Sequence, residues 1–194
     1  EPRLAEQSST LNVIAHELAH MWYGNLVTMA WWDDLWLNEA FASWMASKVM
    51  MDLYPEQNFK GRLVQEGAFG ADASPTVKPV KKVVKSQTDV MDGLGLNYSK
   101  GESILQLIES MVGEEAFQKG IQTYMKNNAF SNAQADDLWK VLSTVADFDV
   151  PAMMKTYLEQ PSYPLVRFSA NGEISQTRYH EKGAAVKEQT WIVP

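Results

Sequence analysis

The sequence predicts a mainly α-helical chain that ends in a few short β-strands. Through most of the chain up to Gln160, apolar side chains recur at intervals of three and four, the period of a helix with one buried face. After Pro161 apolar and polar residues alternate instead, which is typical of strands. We therefore divide the 194 residues into a helical domain, residues 1–160, and the start of a β domain, residues 161–194.

Caps and apolar stripes predict the first three helices. Ser8, Ser9 and Thr10 offer N-caps for a helix over residues 9–23, which Gly24 and Asn25 would end. A second helix would start at Asp34 or Asn38, and Pro55 would end it. A weaker amphipathic pattern predicts a third helix over residues 56–69.

Prolines and glycines interrupt the helical pattern over residues 71–97, which we predict to be irregular. Further helices are predicted over residues 101–111, 114–126, 135–145 and 151–158. Short strands are predicted over residues 163–169, 173–179 and 189–193, and Asn171-Gly172 indicates a hairpin turn. Three short strands cannot close a sheet of their own, so they would either pair with strands elsewhere or begin a further, truncated domain.

Composition excludes several classes of function. The chain carries 17 Lys and Arg against 24 Asp and Glu, a net charge of −7, and its basic residues form no strong cluster, so nucleic acid is not an expected partner. It has no cysteine, which removes disulfides and thiolate chemistry. The longest uncharged run, residues 18–32, is too short to span a bilayer, so no membrane insertion is expected. No targeting signal indicates a compartment, and the absence of an initiator Met suggests a longer parent polypeptide.

Two of the three histidines lie in one pentapeptide, His16-Glu17-Leu18-Ala19-His20, on the first predicted helix. Residues four apart lie on the same helix face, so both imidazoles can reach one metal ion. Glu17 is offset by about 100° and can address a water molecule at that ion. Zinc suits imidazole ligands, and a catalytic zinc site takes a third protein ligand while keeping one position open.

Glu39 is the best candidate for that third ligand. It stands among large apolar residues at the start of the second helix, where a lone carboxylate is rarely tolerated unless it is paired or bound to a metal. The alternative interpretation is an exposed carboxylate favoured by the helix dipole. Other carboxylates within reach are those of Glu6, Asp33 and Asp34. Hydrogen-bond partners for the ligands could come from Ser43, Asn38 or Asp34.

The residues around this motif resemble the zinc aminopeptidases of the aminopeptidase N type, in which HExxH is followed by a spacer of fixed length and then Glu. In this chain a spacer of that length, running from Met21 to Asn38, separates His20 from Glu39. The resemblance implies that His16, His20 and Glu39 hold one Zn²⁺ per chain. It further implies that Glu17 is the catalytic carboxylate.

A second segment, residues 97–103, resembles the Tyr-x-Lys-Gly-Ala-Ser motif that supplies a catalytic tyrosine in this family, and Tyr98 matches that tyrosine. The chain departs from the family at Ala40, which is usually Gly, and at Glu102, which is usually Ala. The family's Gly-Ala-Met-Glu-Asn segment, which holds the substrate's amino terminus, is absent from the short stretch before His16 and is expected in the parent polypeptide.

The resemblance implies a thermolysin-like catalytic domain, partial because its upstream part is missing, that releases N-terminal residues from peptides. Its expected partners are peptides with a free amino terminus and the remainder of the parent polypeptide, and the isolated chain is expected to be weakly active or inactive. Two alternatives stay open. A thermolysin-like endopeptidase usually has Asp four residues after the third ligand, where this chain has Ser43. A non-catalytic binding or scaffold protein would not need Glu17 and Tyr98.

Overall fold

The computed structural model describes residues 2–57, 64–181 and 186–194, with the backbone alone for residues 2–7, 57 and 64–67. Its described part is mainly helical with a few C-terminal strands, which confirms the predicted fold class. The helices are α1 Pro2–Ala19, α2 Trp36–Leu53, α3 Val64–Asp72, α4 Gln87–Met91, α5 Leu94–Val112, α6 Glu114–Asn128, α7 Ala135–Leu142 and α8 Val150–Leu158. The strands are β1 Val27–Met29, β2 Ser131–Ala133, β3 Pro164–Phe168 and β4 Ile174–Arg178.

Helix α2 is the centre of the core. It packs against α1 on one side and α5 on another, and its Trp36 and Phe41 side chains are fully buried. Gly101 of α5 allows the two helices to approach closely, because a Cβ atom there would lie 2.6 Å from the Cβ of Ala40. The methyl group that Ala40 adds to the family pattern is therefore accommodated by a glycine on the facing helix.

Helix α1 ends earlier than the sequence predicted. The prediction extended it to residue 23, but the helix stops at Ala19 and residues 20–25 form a hydrogen-bonded turn. Gly24 lies in that turn with φ +135°, a backbone conformation that residues with a Cβ rarely adopt. The turn leads into β1, which pairs in parallel with β2, and the pairing of these two very short strands was not predicted.

The segment predicted to be irregular, residues 71–97, contains two helical stretches. Helix α4 begins after Ser86, whose side chain accepts a hydrogen bond from the Asp89 amide. Helix α5 begins at Leu94 rather than at residue 101, so Tyr98 lies within a helix. The predicted third helix falls partly on residues 58–63, which lie outside the described residues. Before these residues, Pro55–Gln57 form a 3₁₀ turn, and after them α3 begins at Val64.

The predicted C-terminal hairpin is confirmed, whereas the third strand is wrong. Strands β3 and β4 pair antiparallel on either side of the Asn171-Gly172 turn, with Gly172 at φ +85°. The segment over residues 189–193 does not join them as a strand. Its Trp191 backbone bonds to the side-chain amide of Gln176, accepting at 2.9 Å and donating at 2.8 Å, in place of a backbone ladder.

Buried polar contacts tie the hairpin to the helices. Asp72 of α3 accepts a hydrogen bond from the Ser162 amide at 2.8 Å and forms an ion pair with Lys100 of α5 at 2.8 Å.

The domain boundary between residues 1–160 and 161–194 stays a prediction. Within the described ranges, no helix is both long enough and apolar enough to cross a membrane.

Candidate metal centre

Three side chains that the sequence singled out converge at the junction of α1 and α2. The Nε2 atoms of His16 and His20 lie 3.2 Å apart, and the Glu39 Oε2 atom lies 3.3 Å from the first and 3.5 Å from the second. His16 is in the last turn of α1, His20 directly follows that helix, and Glu39 is in the first turn of α2. Of the described residues, only these three form a cluster of His, Asp and Glu able to hold a metal ion.

The spacing of these atoms fits a tetrahedral metal ion. Bonds of about 2.0–2.2 Å to a tetrahedral ion place the ligand atoms about 3.3–3.6 Å from one another. The Glu39 Oε2 atom is buried and has no hydrogen-bond partner. A buried carboxylate oxygen without a partner is costly, and a bound cation would remove that cost. The donor set and the orphaned oxygen therefore both fit a metal site.

The turn after α1 fixes the orientation of the His20 ring. The backbone carbonyl of Tyr23 lies 2.9 Å from His20 Nδ1, and because a carbonyl can only accept, Nδ1 carries the hydrogen and Nε2 offers its lone pair. Gly24 permits this turn, because its φ of +135° is a backbone conformation that residues with a Cβ atom rarely adopt. The sequence carries no direct sign of this partner, because it is a backbone atom.

Ser43 is the hydrogen-bond partner of His16. It lies on α2, one helical turn after Glu39, and its Oγ atom is 3.3 Å from His16 Nδ1. The other two partners considered from the sequence were Asn38 and Asp34. Asp34 has a structural role, since it accepts from the Ala135 amide at 3.1 Å and from the Trp36 indole at 3.3 Å. No ligand contact is described for Asn38, which lies close to Gly24.

Asp33 and Asp34, two of the alternative carboxylates, take no part in the cluster. Asp33 accepts a hydrogen bond from the Val84 amide at 2.8 Å, and Asp34 also pairs with Lys81. The Glu6 side chain lies outside the described residues. Burial pushes the pKa of Glu39 upward, but the adjacent imidazoles of His16 and His20 outweigh it and hold the pKa below its usual value.

Tyr98 reaches the cluster from α5. Its ring stacks on the His16 ring with a centroid separation of 5.7 Å. Burial, followed by the negative charge of Glu39, raises the pKa of the Tyr98 hydroxyl to about 12. The hydroxyl therefore keeps its proton at any physiological pH and can act as a hydrogen-bond donor beside the cluster.

Glu17 lies on the rim of the cluster with an exposed side chain. Its charge contributes to the raised pKa of Tyr98. Helix geometry turns Glu17 about 100° away from His16, which leaves its carboxylate free of the ligand positions. The structure thus brings His16, His20, Glu39 and Tyr98 together, with Glu17 beside them on α1.

Glu102 is the polar residue whose role the sequence did not explain. It lies one turn after Tyr98 on α5 and is 6% exposed. Its Oε1 atom accepts hydrogen bonds from Ser47 at 2.6 Å and from Gln106 at 3.1 Å. The sequence showed a departure from the family pattern at this position but not that the carboxylate is buried.

A large apolar cavity of about 1080 Å³ lies elsewhere, between α1, α2 and α6. Leu11, Ile14 and Leu18 line it from α1, and helix geometry places them on the side of α1 turned away from His16. The cavity is therefore separate from the cluster of polar residues.

Comparison with known proteins identifies the family. Residues 3–157 match the family model described as "Peptidase family M1 domain". The chain is 41% identical to a leucyl aminopeptidase of Saccharolobus solfataricus over 88% of this chain and 23% of that protein. It is 39% identical to probable aminopeptidase 2 of Sulfurisphaera tokodaii over 98% of this chain and 26% of that protein. It is 36% identical to aminopeptidase M1 of Arabidopsis thaliana over 94% of this chain and 21% of that protein.

The chain belongs to the M1 family of peptidases, because the family model covers most of its length. This confirms the resemblance inferred from the HExxH and tyrosine motifs. The chain spans about a quarter of the length of the curated relatives it matches.

Proposed function

We propose that the protein is a zinc-dependent aminopeptidase in which His16, His20 and Glu39 hold one Zn²⁺ and Glu17 and Tyr98 act on the substrate. The observation that carries this proposal is the buried, unpartnered Glu39 Oε2 atom beside two imidazoles whose other nitrogens already have hydrogen-bond partners. Such a set is incomplete without a cation. Membership of the M1 family supports the assignment independently.

The donor set favours zinc over other metals. Two imidazole nitrogens and one carboxylate oxygen match the His₂Glu ligands of catalytic zinc sites, which leave a fourth position for water or substrate. When bound, the zinc ion would act as a Lewis acid toward the scissile carbonyl and toward a water molecule. Ca²⁺ and Mg²⁺ prefer ligand sets made of oxygen atoms and are disfavoured here.

Glu17 is proposed as the general base and then the general acid. Its carboxylate can accept a proton from the attacking water at the rim of the cluster and give that proton to the leaving amine. Glu17 suits this role because it lies beside the ligands without belonging to them. A carboxylate bound to the metal through both oxygens would have lost the lone pair that this step requires.

Tyr98 is proposed as a hydrogen-bond donor to the oxygen on which negative charge develops. Its hydroxyl remains protonated because burial and the Glu39 charge raise its pKa to about 12. Stacking on His16 holds the ring in one orientation, so the donor requires no reorganisation during the reaction.

We propose peptides with a free amino terminus as the substrates. The relatives that match this chain are named aminopeptidases, and this supports exopeptidase over endopeptidase action. Ser43 also supports it, because the residue four positions after the third ligand bonds to His16 as a hydroxyl and not as the Asp typical of thermolysin-like endopeptidases.

Substitution of Glu17 by Gln tests this function. In the full-length protein, Glu17→Gln should keep one zinc and lose hydrolysis by several orders of magnitude, because an amide cannot relay the proton. Glu115→Gln, an exposed carboxylate on α6, is the matched control and should retain activity. Peptides of one sequence with free and with blocked amino termini should be compared in the same assay. Equal hydrolysis of the blocked peptide would contradict aminopeptidase action, and full activity of Glu17→Gln would contradict the mechanism.

A further inference from the structure

The carboxylate of Glu102 is buried between α2 and α5. Among the described residues, no Lys or Arg forms an ion pair with it, although Lys48, Lys81 and Lys100 pair with other carboxylates. Its two hydrogen-bond donors, Ser47 and Gln106, are neutral. Burying a carboxylate with neutral partners alone is costly, whereas the Ala usual in the family at this position would avoid the cost.

Glu102 belongs to a polar seam between α2 and α5 that begins at the candidate metal centre. On α2 the seam consists of Glu39, Ser43 and Ser47, which follow one another at intervals of one helical turn. On α5 it consists of Tyr98 and Glu102, again one turn apart. Ser43 contacts His16 Nδ1, and Ser47 contacts Glu102. Glu102 therefore lies behind His16, on the buried side of the cluster.

The Glu102 carboxyl lies in a buried setting that raises its pKa, while the Ser47 hydrogen bond acts to lower it. When ionised, this carboxylate attracts positive charge in its neighbourhood, including that of a cation held by His16. Neutral imidazoles and one carboxylate around a divalent ion leave one net positive charge at the centre, which a second carboxylate would balance.

The two ligand histidines have neutral hydrogen-bond partners. In many zinc sites a carboxylate bonds directly to the second nitrogen of a ligand histidine and raises its basicity. Here His16 has the Ser43 hydroxyl and His20 has the Tyr23 carbonyl, both of them neutral groups. Neither partner supplies negative charge, and Glu102 is the buried carboxylate placed one step further along the same seam.

We propose that Glu102 is a positioning residue for the metal centre: its buried carboxylate, held by Ser47 and Gln106, supplies the negative charge behind His16 that strengthens metal binding. The inference rests on the proposed zinc site. It assigns a role to the position at which the chain departs most strongly from the family pattern.

Two substitutions separate charge from shape. Glu102→Gln keeps the side-chain length and an acceptor oxygen for Ser47 but removes the charge, whereas Glu102→Asp keeps the charge and shortens the side chain. We expect the zinc dissociation constant of Glu102→Gln, measured by competition with a chromophoric chelator, to rise by about 10- to 100-fold. Glu102→Asp should lose less affinity than Glu102→Gln. The metal-free Glu102→Gln protein should unfold at a denaturant concentration no lower than that of the wild type, because a buried charge is removed.

Glu109→Gln is the matched control. Glu109 lies two turns after Glu102 on the same face of α5 and accepts a hydrogen bond from the Trp44 indole at 2.8 Å, away from the metal centre. Its substitution should leave zinc affinity unchanged. Wild-type zinc affinity in Glu102→Gln, or a greater loss in Glu102→Asp than in Glu102→Gln, would overturn the proposal. A wild-type protein that binds no zinc would instead contradict the proposed function itself.

Discussion

Two buried polar clusters lie on different sides of α5, and they differ in how completely their polar atoms are paired. Lys100 donates to Asp72 at 2.8 Å and to the carbonyl oxygens of Ser162 at 2.8 Å and Gln160 at 3.3 Å, which uses all three of its N–H donors. Two residues earlier, Tyr98 contacts a cluster in which the Glu39 Oε2 atom is buried without a hydrogen-bond partner.

This difference in pairing indicates a structural role for the Lys100 cluster and a ligand-binding role for the cluster beside Tyr98. A fully paired buried ion holds elements together, and the Lys100 cluster joins α3, α5 and the segment that leads into β3. A buried cluster with an unpaired acceptor atom lacks a partner that a bound ligand could supply. Tyr98 and Lys100 reach different clusters from opposite faces of α5, because side chains two residues apart on a helix are rotated by about 200°.

The largest expected effect on stability is at the paired cluster. Lys100→Met should lower the free energy of unfolding by about 3–5 kcal/mol, because it leaves the Asp72 carboxylate buried without its cation. Denaturant titration measures this loss. Lys140→Met removes an exposed partner of Asp137 and should cost at most about 1 kcal/mol. A Lys100→Met variant that kept wild-type stability but lost zinc would contradict the structural role given to the Lys100 cluster.

A smaller effect, on rate alone, is expected at the incomplete cluster. In the full-length protein, Tyr98→Phe should keep zinc and lower kcat by about 10²- to 10³-fold, with a smaller change in KM, because its hydrogen bond forms mainly in the transition state. Steady-state kinetics on an unblocked aminoacyl substrate measures both constants. A Tyr98→Phe enzyme with the wild-type kcat would remove Tyr98 from the mechanism.

The turn that supports His20 gives the smallest of these effects. Gly24→Ala should cost about 1–3 kcal/mol of stability, because Ala is strained at φ +135°. It should also weaken zinc binding by about tenfold through the displaced Tyr23 carbonyl. Gly172→Ala in the β3–β4 turn, at φ +85°, is the matched control. Both variants should lose stability, and an equal loss of zinc affinity in the two would contradict the role given to the turn.

The candidate site was largely predictable because its spacing is local. The four-residue interval between His16 and His20 fixes a shared helix face, and Ser43 follows Glu39 by the same interval. Ser43 Oγ lies 3.3 Å from His16 Nδ1, a contact that this interval makes possible. The Tyr23 carbonyl could not be predicted in this way, because a backbone atom leaves no mark on the side-chain pattern.

The fold was predictable where elements are long and periodic. Helices α2 and α6 were expected close to their observed ends, whereas the start of α5 was missed because Gly93 and Gly95 indicated a loop. The β1–β2 pair was missed because strands this short cannot show a period. Residues 189–193 alternate like a strand, but the side chain of Gln176 takes the hydrogen bonds that a neighbouring strand would have made.

The central claim is that the incomplete cluster is a zinc site. Native mass spectrometry of the wild-type protein and of His20→Ala, both purified and exchanged into the same zinc-containing volatile buffer, tests it most directly. We predict one zinc ion per chain in the wild type and none in His20→Ala, which keeps Glu39 and His16 but loses one of three ligands. Unchanged zinc content in His20→Ala would contradict the account.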